Sequence, residues 1–598
     1  MAVLLAPVSC KKSEELSPEE AAALNVKGLE EILSKTVSKP WQGEEFVPGK
    51  LGGVWYSRIT EEPKTYNHIL AEADSPSSSI LAAMSDYLMD YDVVAREWKP
   101  RAAEAEIRVN ETAGTLSVIY TLRDDLYWSF YNSDRKVKVT CDDIVFWYNE
   151  LEANEELQMS GYNGQFLLME DGTEKRVTIE KLDARRFAFH FPRIIAEPLL
   201  ATNRSIVPRM GYEEALRNGG IDAVLDLFNM QIDPKSIPSM GEWFLVEYTP
   251  GQRLVYKRNP DYWKKDENGV SLPYYEENII RIIPETNTTK LIFLRGEIED
   301  YSLRPEDLTE VIGKQELGFT VFNAEGSLSA PFWTFNQNPK NSGEPSYEWF
   351  TQKEFRQAMS CLVNRERLNA QVYRGLAEPK YDIFPEPNPF YNRDVSLPYR
   401  YDPARALSLL ESIGMKRDSD GVMRDSKGRA VEFDLAFQTD TAVYTDTASI
   451  LMDELSKVGI KLNIRVIEFQ KLIEMVDRTY EWSSIFLRLT GGQIFPSQGS
   501  NVWPSTGNLH VWNPAQKNPA TEWEKRIDYI YNEGSYTIDH ARAKAYWDEF
   551  QETLLEQCPL IYMMRQRSFT ALWNRWDMSN VYYDNRNGFE ASHIFLAQ

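Results

Sequence analysis

A chain of 598 residues is too long for one compact core, so two or three domains are expected. Its 42% hydrophobic and 26% charged residues are the composition of a folded globular protein, which excludes a largely disordered chain. A formal net charge of −24 argues against a nucleic-acid partner, which needs clustered Lys and Arg, and reads as solubility. His is scarce, and the four cysteines, Cys10, Cys141, Cys361 and Cys558, lie far apart with no CxxC or Cys/His cluster, so neither a metal nor a cofactor is expected. One disulfide among the last three cysteines is left open. G-x-S-x-G, HExxH and Walker sequences do not occur, which leaves enzyme readings weak.

In chain order, residues 1–10 are a short apolar run ending in small residues and Cys10, followed by Lys11-Lys12 and a polar stretch. This resembles the end of a bacterial lipoprotein signal, with Cys10 as the lipidated residue, although Pro7 and the lack of a basic start depart from that pattern. No other run approaches the roughly 20 apolar residues of a membrane span, so membrane association is expected only through such an anchor. Residues 18–36 read as a surface helix. A loop from Tyr66 leads into a helix capped by Ser77, Ser78 or Ser79, with Ile80, Leu81, Met84 and Leu88 at helical spacing. Thr115–Arg123 alternates like a strand, and Thr140 with Asp142 and Asp143 is a helix N-cap. A later helix ends at Gly219-Gly220. Trp243–Tyr248 and Leu254–Lys257 flank Thr249-Pro250-Gly251-Gln252, a β-hairpin signal, and Arg258-Asn259-Pro260 stops the second strand.

A strand over 278–284 leads to a helix from Thr288 to Leu294 with Gly296 beyond its end. Phe332–Asn338 reads as a strand ending in Asn, and Phe355–Ser360 with Asn364–Leu368 as helices. Asp402 caps a helix that has Pro403 in its first turn and ends at Gly414. Strand 432–438, helix 444–458 and strand 460–467 form a β-α-β unit, and Ala541–Glu556 is an amphipathic helix.

These stretches, taken together and in this order, resemble the family 5 extracellular solute-binding proteins, the oligopeptide- and dipeptide-binding group of ABC importers. The strongest matches are Met240–Trp263, Thr115–Phe146 and Phe332–Leu368, and the resemblance extends over about residues 50–580. It implies an α/β fold: a two-lobed periplasmic-binding-protein fold, type II, of the large three-domain cluster, with mixed sheets and a ligand cleft between the lobes. Residues 1–24 would be a signal remnant and tether. Residues 25–80, 225–333 and 555–598 would form lobe I, 81–224 an extra domain inserted in it, and 334–554 lobe II, with hinges near 333 and 555. The implied function is ligand capture by lobe closure and delivery to ABC permease subunits, by a periplasmic or envelope-anchored monomer without catalysis.

The resemblance also points to ligand-binding residues. The loop from Tyr66, carrying Glu72 and Asp74, touches ligand in the family, and Trp333 lies in a matching strand. Peptide-binding members hold an Asp for the peptide ammonium in the stretch that corresponds here to Trp482–Pro496. This chain has no Asp there; Thr490, Gly491, Gly492 and Gln493 occupy its neighbourhood, beside Arg488. A ligand neutral or anionic at that end is therefore expected, the alternative being that another carboxylate, Asp74 or Glu72, takes over the pairing. The following stretch alternates polar groups with large planes, Asn501, Trp503, Ser505, Asn508, His510 and Trp512, which suits sugars as well as peptides; the same Trp residues equally suit a core. An oligosaccharide-binding member of the family and a secreted carbohydrate-active enzyme are the alternatives.

Overall fold

The computed structural model describes residues 27–597 except 158, 170, 396–398, 439–441, 490–492 and 585–587. Cys10, Thr490, Gly491 and Gly492 thus lie outside the described residues.

The hairpin around Pro250 forms as its sequence dictates. Trp243–Thr249 pairs antiparallel with Arg253–Arg258, and Gly251 turns the corner at φ 69°, a conformation that favours glycine. Glu277–Ile282 extends this pair antiparallel, and Val54–Ile59 adds in parallel on the far edge. The resulting four-stranded sheet buries Trp55, Trp243, Leu245, Leu254 and Tyr256. A second sheet holds Met564–Trp573 between Asp300–Ser302 and Phe319–Gly326, and its Phe322 and Leu572 pack into the same core.

The β-α-β unit appears as Glu432–Gln438, Ala442–Lys457 and Lys461–Ile467, with the two strands parallel. It belongs to a five-stranded sheet in which Ser484–Leu487, Phe332–Phe335 and Leu560–Tyr562 follow in spatial order. Helices cover this sheet, among them Lys353–Cys361, Pro403–Ser412 and His540–Gln557. Asp402 caps the second of these by accepting from the Arg405 N–H.

Between strands 54–59 and 243–249 the chain builds a separate four-stranded antiparallel sheet, Thr178–Lys181, Arg186–Phe191, Thr115–Leu122 and Ala103–Asn110. Along Thr115–Leu122 every second residue is buried, the strand period read from its sequence. Cys141–Phe146 packs on this sheet, and its N-terminus is closed by a capping box between Thr140 and Asp143.

The chain passes from the second sheet to the five-stranded sheet at residues 327–331 and returns at Met563. The two crossings are tied together, the Met563 N–H donating to the Pro331 carbonyl at 2.9 Å. Cys141, Cys361 and Cys558 are free, buried thiols.

Two local expectations are corrected. The helix after the Tyr66 loop is capped by Asp74 rather than by a serine: it runs Ser75–Ala82, Pro76 occupies its first turn, and Asp74 accepts from the Ser77 N–H at 3.1 Å. Pro76 lacks an N–H, so the helix opens upstream of the serine run, and Leu88 falls beyond its end. The helix begun at Tyr212 ends at Gly219-Gly220 as its sequence expects, Gly220 standing at φ 67°, and a second helical stretch continues to Asp226. The Trp503–Trp512 stretch is a series of turns whose planes point inward rather than an open alternating surface.

Among the described residues no helix is long and apolar enough to cross a membrane, and no group of three or more His, Cys, Asp or Glu side chains could hold a metal ion.

Candidate functional site

A cavity of about 360 Å³ opens where the chain crosses between the two bodies. The crossing itself supplies Ser329, Ala330 and Phe332; the returning strand supplies Tyr562. Lys380 and Ile383 follow the short strand Ala377–Pro379, which pairs with Met564–Trp573. The remaining wall comes from the loops after Ser484–Leu487: Leu489, Gln493, Gln498, Asn501 and Leu509. The cavity size lies within the range of about 300–1,000 Å³ usual for small-molecule sites.

Lys380 is the one charged residue in this lining, and its side chain is only 3% exposed. Its Nζ pairs with Asp382 Oδ1 at 2.7 Å and stands 4.8 Å from the centre of the Tyr562 ring. Burial lowers the Lys380 ammonium from its usual range, and the neighbouring carboxylate of Asp382 opposes that shift. Asp382 is shared with Arg565 at 3.8 Å, so local charge is balanced behind the wall. Among the described residues no carboxylate lines the cavity.

The amides are positioned by local hydrogen bonds. Gln498 Oε1 accepts from the Phe495 N–H at 3.0 Å, closing the turn Pro496–Gly499. Asn501 Oδ1 accepts from the Asn508 N–H at 2.8 Å. Gln493 has φ 47°, and its carbonyl accepts from Asn388 Nδ2 at 2.8 Å. Its own Oε1 is buried and has no partner among the described residues. Arg488 stands beside the crossing, where its guanidinium donates to Ser327 Oγ at 2.8 Å and Ser329 Oγ at 2.9 and 3.0 Å.

Among the residues singled out in the sequence, Gln493 and Asn501 therefore meet in this cavity, with Arg488 reaching it through Ser329. Trp333 and Trp503 lie elsewhere: both are fully buried, Trp333 against Phe335 at 4.6 Å and Trp503 against Phe550 at 5.6 Å. Glu72 accepts from the Ser160 N–H at 2.9 Å and borders a separate cavity near His68, Trp147 and Arg204, where burial pushes the His68 imidazole down to about 4. Asp74 is occupied by its helix cap and by Lys64 Nζ at 3.2 Å. Lys380, Ser329, Gln498 and Tyr562 went unnoticed in the sequence. The strand match at Phe332–Asn338 and the stretch carrying Gln493 and Asn501 were the signals that pointed to this region.

Two lobes of mixed α/β structure with a solute-sized cavity at the crossings between them define a solute-binding protein of the periplasmic type. Residues 95–509 match the model of the bacterial extracellular solute-binding proteins, family 5 (middle), and the chain belongs to that family, the solute-binding components of ABC transporters. A probable ABC transporter-binding protein of Deinococcus radiodurans is 26% identical over 566 residues, 91% of this chain and 92% of the relative. The oligopeptide-binding protein AppA of Bacillus subtilis, solved with a nonapeptide, superimposes with a TM-score of 0.68 at 20% identity, covering 92% of this chain and all of that one. The periplasmic binding protein MelB of Agrobacterium fabrum, solved with stachyose, gives 0.67 at 17% identity, covering 92% and 86%. All three are named for binding: a transporter-binding protein, an oligopeptide-binding protein and a periplasmic binding protein.

Proposed function

We propose that this chain captures a peptide, or a similar extended solute, whose end facing the crossing is neutral or anionic. The observation that carries this reading is the lining of the crossing cavity: one buried cation, Lys380, three amide side chains and no carboxylate. A ligand carboxylate there meets a charge-assisted donor in a poorly hydrated site, whereas a ligand ammonium meets none and would lose its hydration uncompensated. The likeness to AppA supports a peptide. The amides of Gln493, Gln498 and Asn501, together with the likeness to MelB, support an oligosaccharide as the second reading.

Capture proceeds by closure of two lobes about residues 327–331 and Met563. One lobe comprises the sheets built on 54–59, 243–282 and 564–573, with the 103–191 sheet inserted in it. The other comprises the five-stranded sheet and its helices. The closed form docks as a monomer on permease subunits. In the envelope the chain is held by lipid on Cys10, a reading supported by the apolar run before that residue; mass spectrometry of the membrane fraction tests it, and an unacylated Cys10 with upstream residues attached would refute it.

Native mass spectrometry of the purified protein is expected to find a retained ligand, and small-angle scattering a smaller radius of gyration with it bound. If that ligand is a peptide, amidating its C-terminus or making Lys380→Met lowers affinity at least tenfold by calorimetry. A peptide that binds equally well in all three combinations overturns the charge assignment, and a bound ligand that leaves the radius of gyration unchanged overturns closure.

A further inference from the structure

The turn Pro496–Gly499 separates two cavities. Gln498 faces the crossing cavity, while Ser497 and the preceding Phe495 face another of about 340 Å³. This second cavity is walled by two different bodies. Tyr91, Trp98 and Glu197 come from the segment inserted between the first strands, and Phe390, Phe495 and Trp547 from the body of the five-stranded sheet. The two walls touch directly. Phe495 meets Tyr91 edge-on at 4.6 Å and stacks on Trp98 at 5.9 Å, and the Ala196 N–H donates to the Ser535 carbonyl at 3.0 Å.

Glu197 is the one carboxylate in this aromatic cavity. It accepts a hydrogen bond from the Ser497 hydroxyl, and no cationic side chain pairs with it among the described residues. Of the neighbouring cations, Arg193 lies 3.5 Å from the centre of the Tyr536 ring, and Arg96, itself in the wall, makes no ion pair with Glu197 among the described residues. Burial raises the Glu197 carboxyl to about 7, as expected of an acid whose desolvation no cation offsets. His540, also in the wall, stacks on Phe390 at 5.0 Å.

A desolvated carboxylate among aromatic faces is complementary to one kind of group. An ammonium gains from both the opposite charge and the ring quadrupoles, an anion is repelled, and a neutral apolar ligand leaves the carboxylate uncompensated. We infer that the cavity between the Tyr91–Trp98 hairpin and Phe495 is a second ligand pocket, selective for an organic ammonium on an aromatic or apolar body. The inference stands apart from what fills the crossing cavity. Because its walls belong to different bodies, an occupant bridges them.

The test titrates the full-length protein at pH 8 with three probes of one shape, phenethylammonium, 2-phenylethanol and 3-phenylpropionate, followed by saturation-transfer NMR and calorimetry. Saturable binding of phenethylammonium at least tenfold tighter than either of the others is expected, with Glu197→Gln removing that preference and leaving 2-phenylethanol unchanged. Absence of saturable phenethylammonium binding, or equal affinity for the alcohol, overturns the inference on the wild-type protein alone. Unchanged phenethylammonium affinity in a folded Glu197→Gln variant overturns it as well. None of these outcomes depends on the ligand of the crossing cavity, so the two readings fail separately.

Discussion

Glu524 provides a sharp test of how the wall of the crossing cavity is held. Its carboxylate is buried, and Oε1 accepts from His510 Nε2 at 3.1 Å, Trp512 Nε1 at 3.1 Å and Gln516 Nε2 at 2.9 Å, while Oε2 accepts from Thr521 Oγ1 at 2.7 Å. Three of these donors belong to the turns that carry Asn501 and Leu509 into the cavity. Burial by itself raises this acid, but the hydrogen bonds from His510, Gln516 and Thr521 outweigh it and hold the carboxyl at about 2, against an ordinary 4.5. That difference corresponds to about 3 kcal/mol of stability in the charged form. A depressed carboxylate contributes fully above its unfolded value, and the contribution fades as pH falls through the folded one, so the window is about pH 4.5 to 2. Glu524→Gln keeps the shape and removes the charge. Amide hydrogen exchange over residues 501–513 then speeds up on the order of a hundredfold at pH 7, because about 3 kcal/mol less opposes local opening. Near pH 2.5 the gap between the variant and the wild type shrinks to a few-fold. An acceleration below about threefold at pH 7, or a gap that persists at pH 2.5, would refute the assignment of Glu524 as the charged hub of this wall.

Other substitutions check the rest. Asp74→Ala removes a helix cap and costs about 1–2 kcal/mol, measured as a lower melting temperature, with ligand affinity unchanged; a tenfold loss of affinity would instead give Asp74 a ligand role. Gly534→Ala places a methyl 2.7 Å from Trp547 Cε2 and Cζ2, and this overpacking, about 1–3 kcal/mol, exceeds the gain of up to about 1 kcal/mol in helix propensity, so melting falls. Acetylating the N-terminus of a peptide ligand changes its affinity less than about tenfold in calorimetry, roughly 1.4 kcal/mol, since the crossing cavity offers no carboxylate; a hundredfold loss would show that the ammonium is read.

The elements legible in the sequence are those whose signals are local. The Pro250-Gly251 hairpin, the Thr140 capping box and the strand alternation at Thr115–Leu122 each depend on residues within one turn or one strand, and each forms. The cap of the helix after the Tyr66 loop was misread because three consecutive serines masked an acceptor just upstream of Pro76. The cavity was harder to read, since its walls come from residues near 330, 380, 500 and 562, and no local pattern brings them together. An aromatic residue carries no mark of whether it faces a cleft or a core, and Trp333 and Trp503 both fill cores. Arg488, expected beside the ligand, donates to Ser327 and Ser329, two hydroxyls about 160 residues away that its own sequence neighbourhood does not announce.

The return of the chain at Met563 has a consequence for how the molecule is made. Met564–Trp573 lies between Asp300–Ser302 and Phe319–Gly326, strands that emerge from the ribosome some 240 residues or more before it. Domains ordinarily fold as they are synthesised, from the N-terminus onward. Here the body begun first is finished last, because Phe569, Ala571, Leu572 and Trp576 must arrive to fill its cores. The contiguous β-α-β body can close on most of its sheet before then. A nascent chain therefore carries an unfinished first body until the strand at 564–573 has been made, and a chain cut short before residue 564 leaves that earliest body without its core strand.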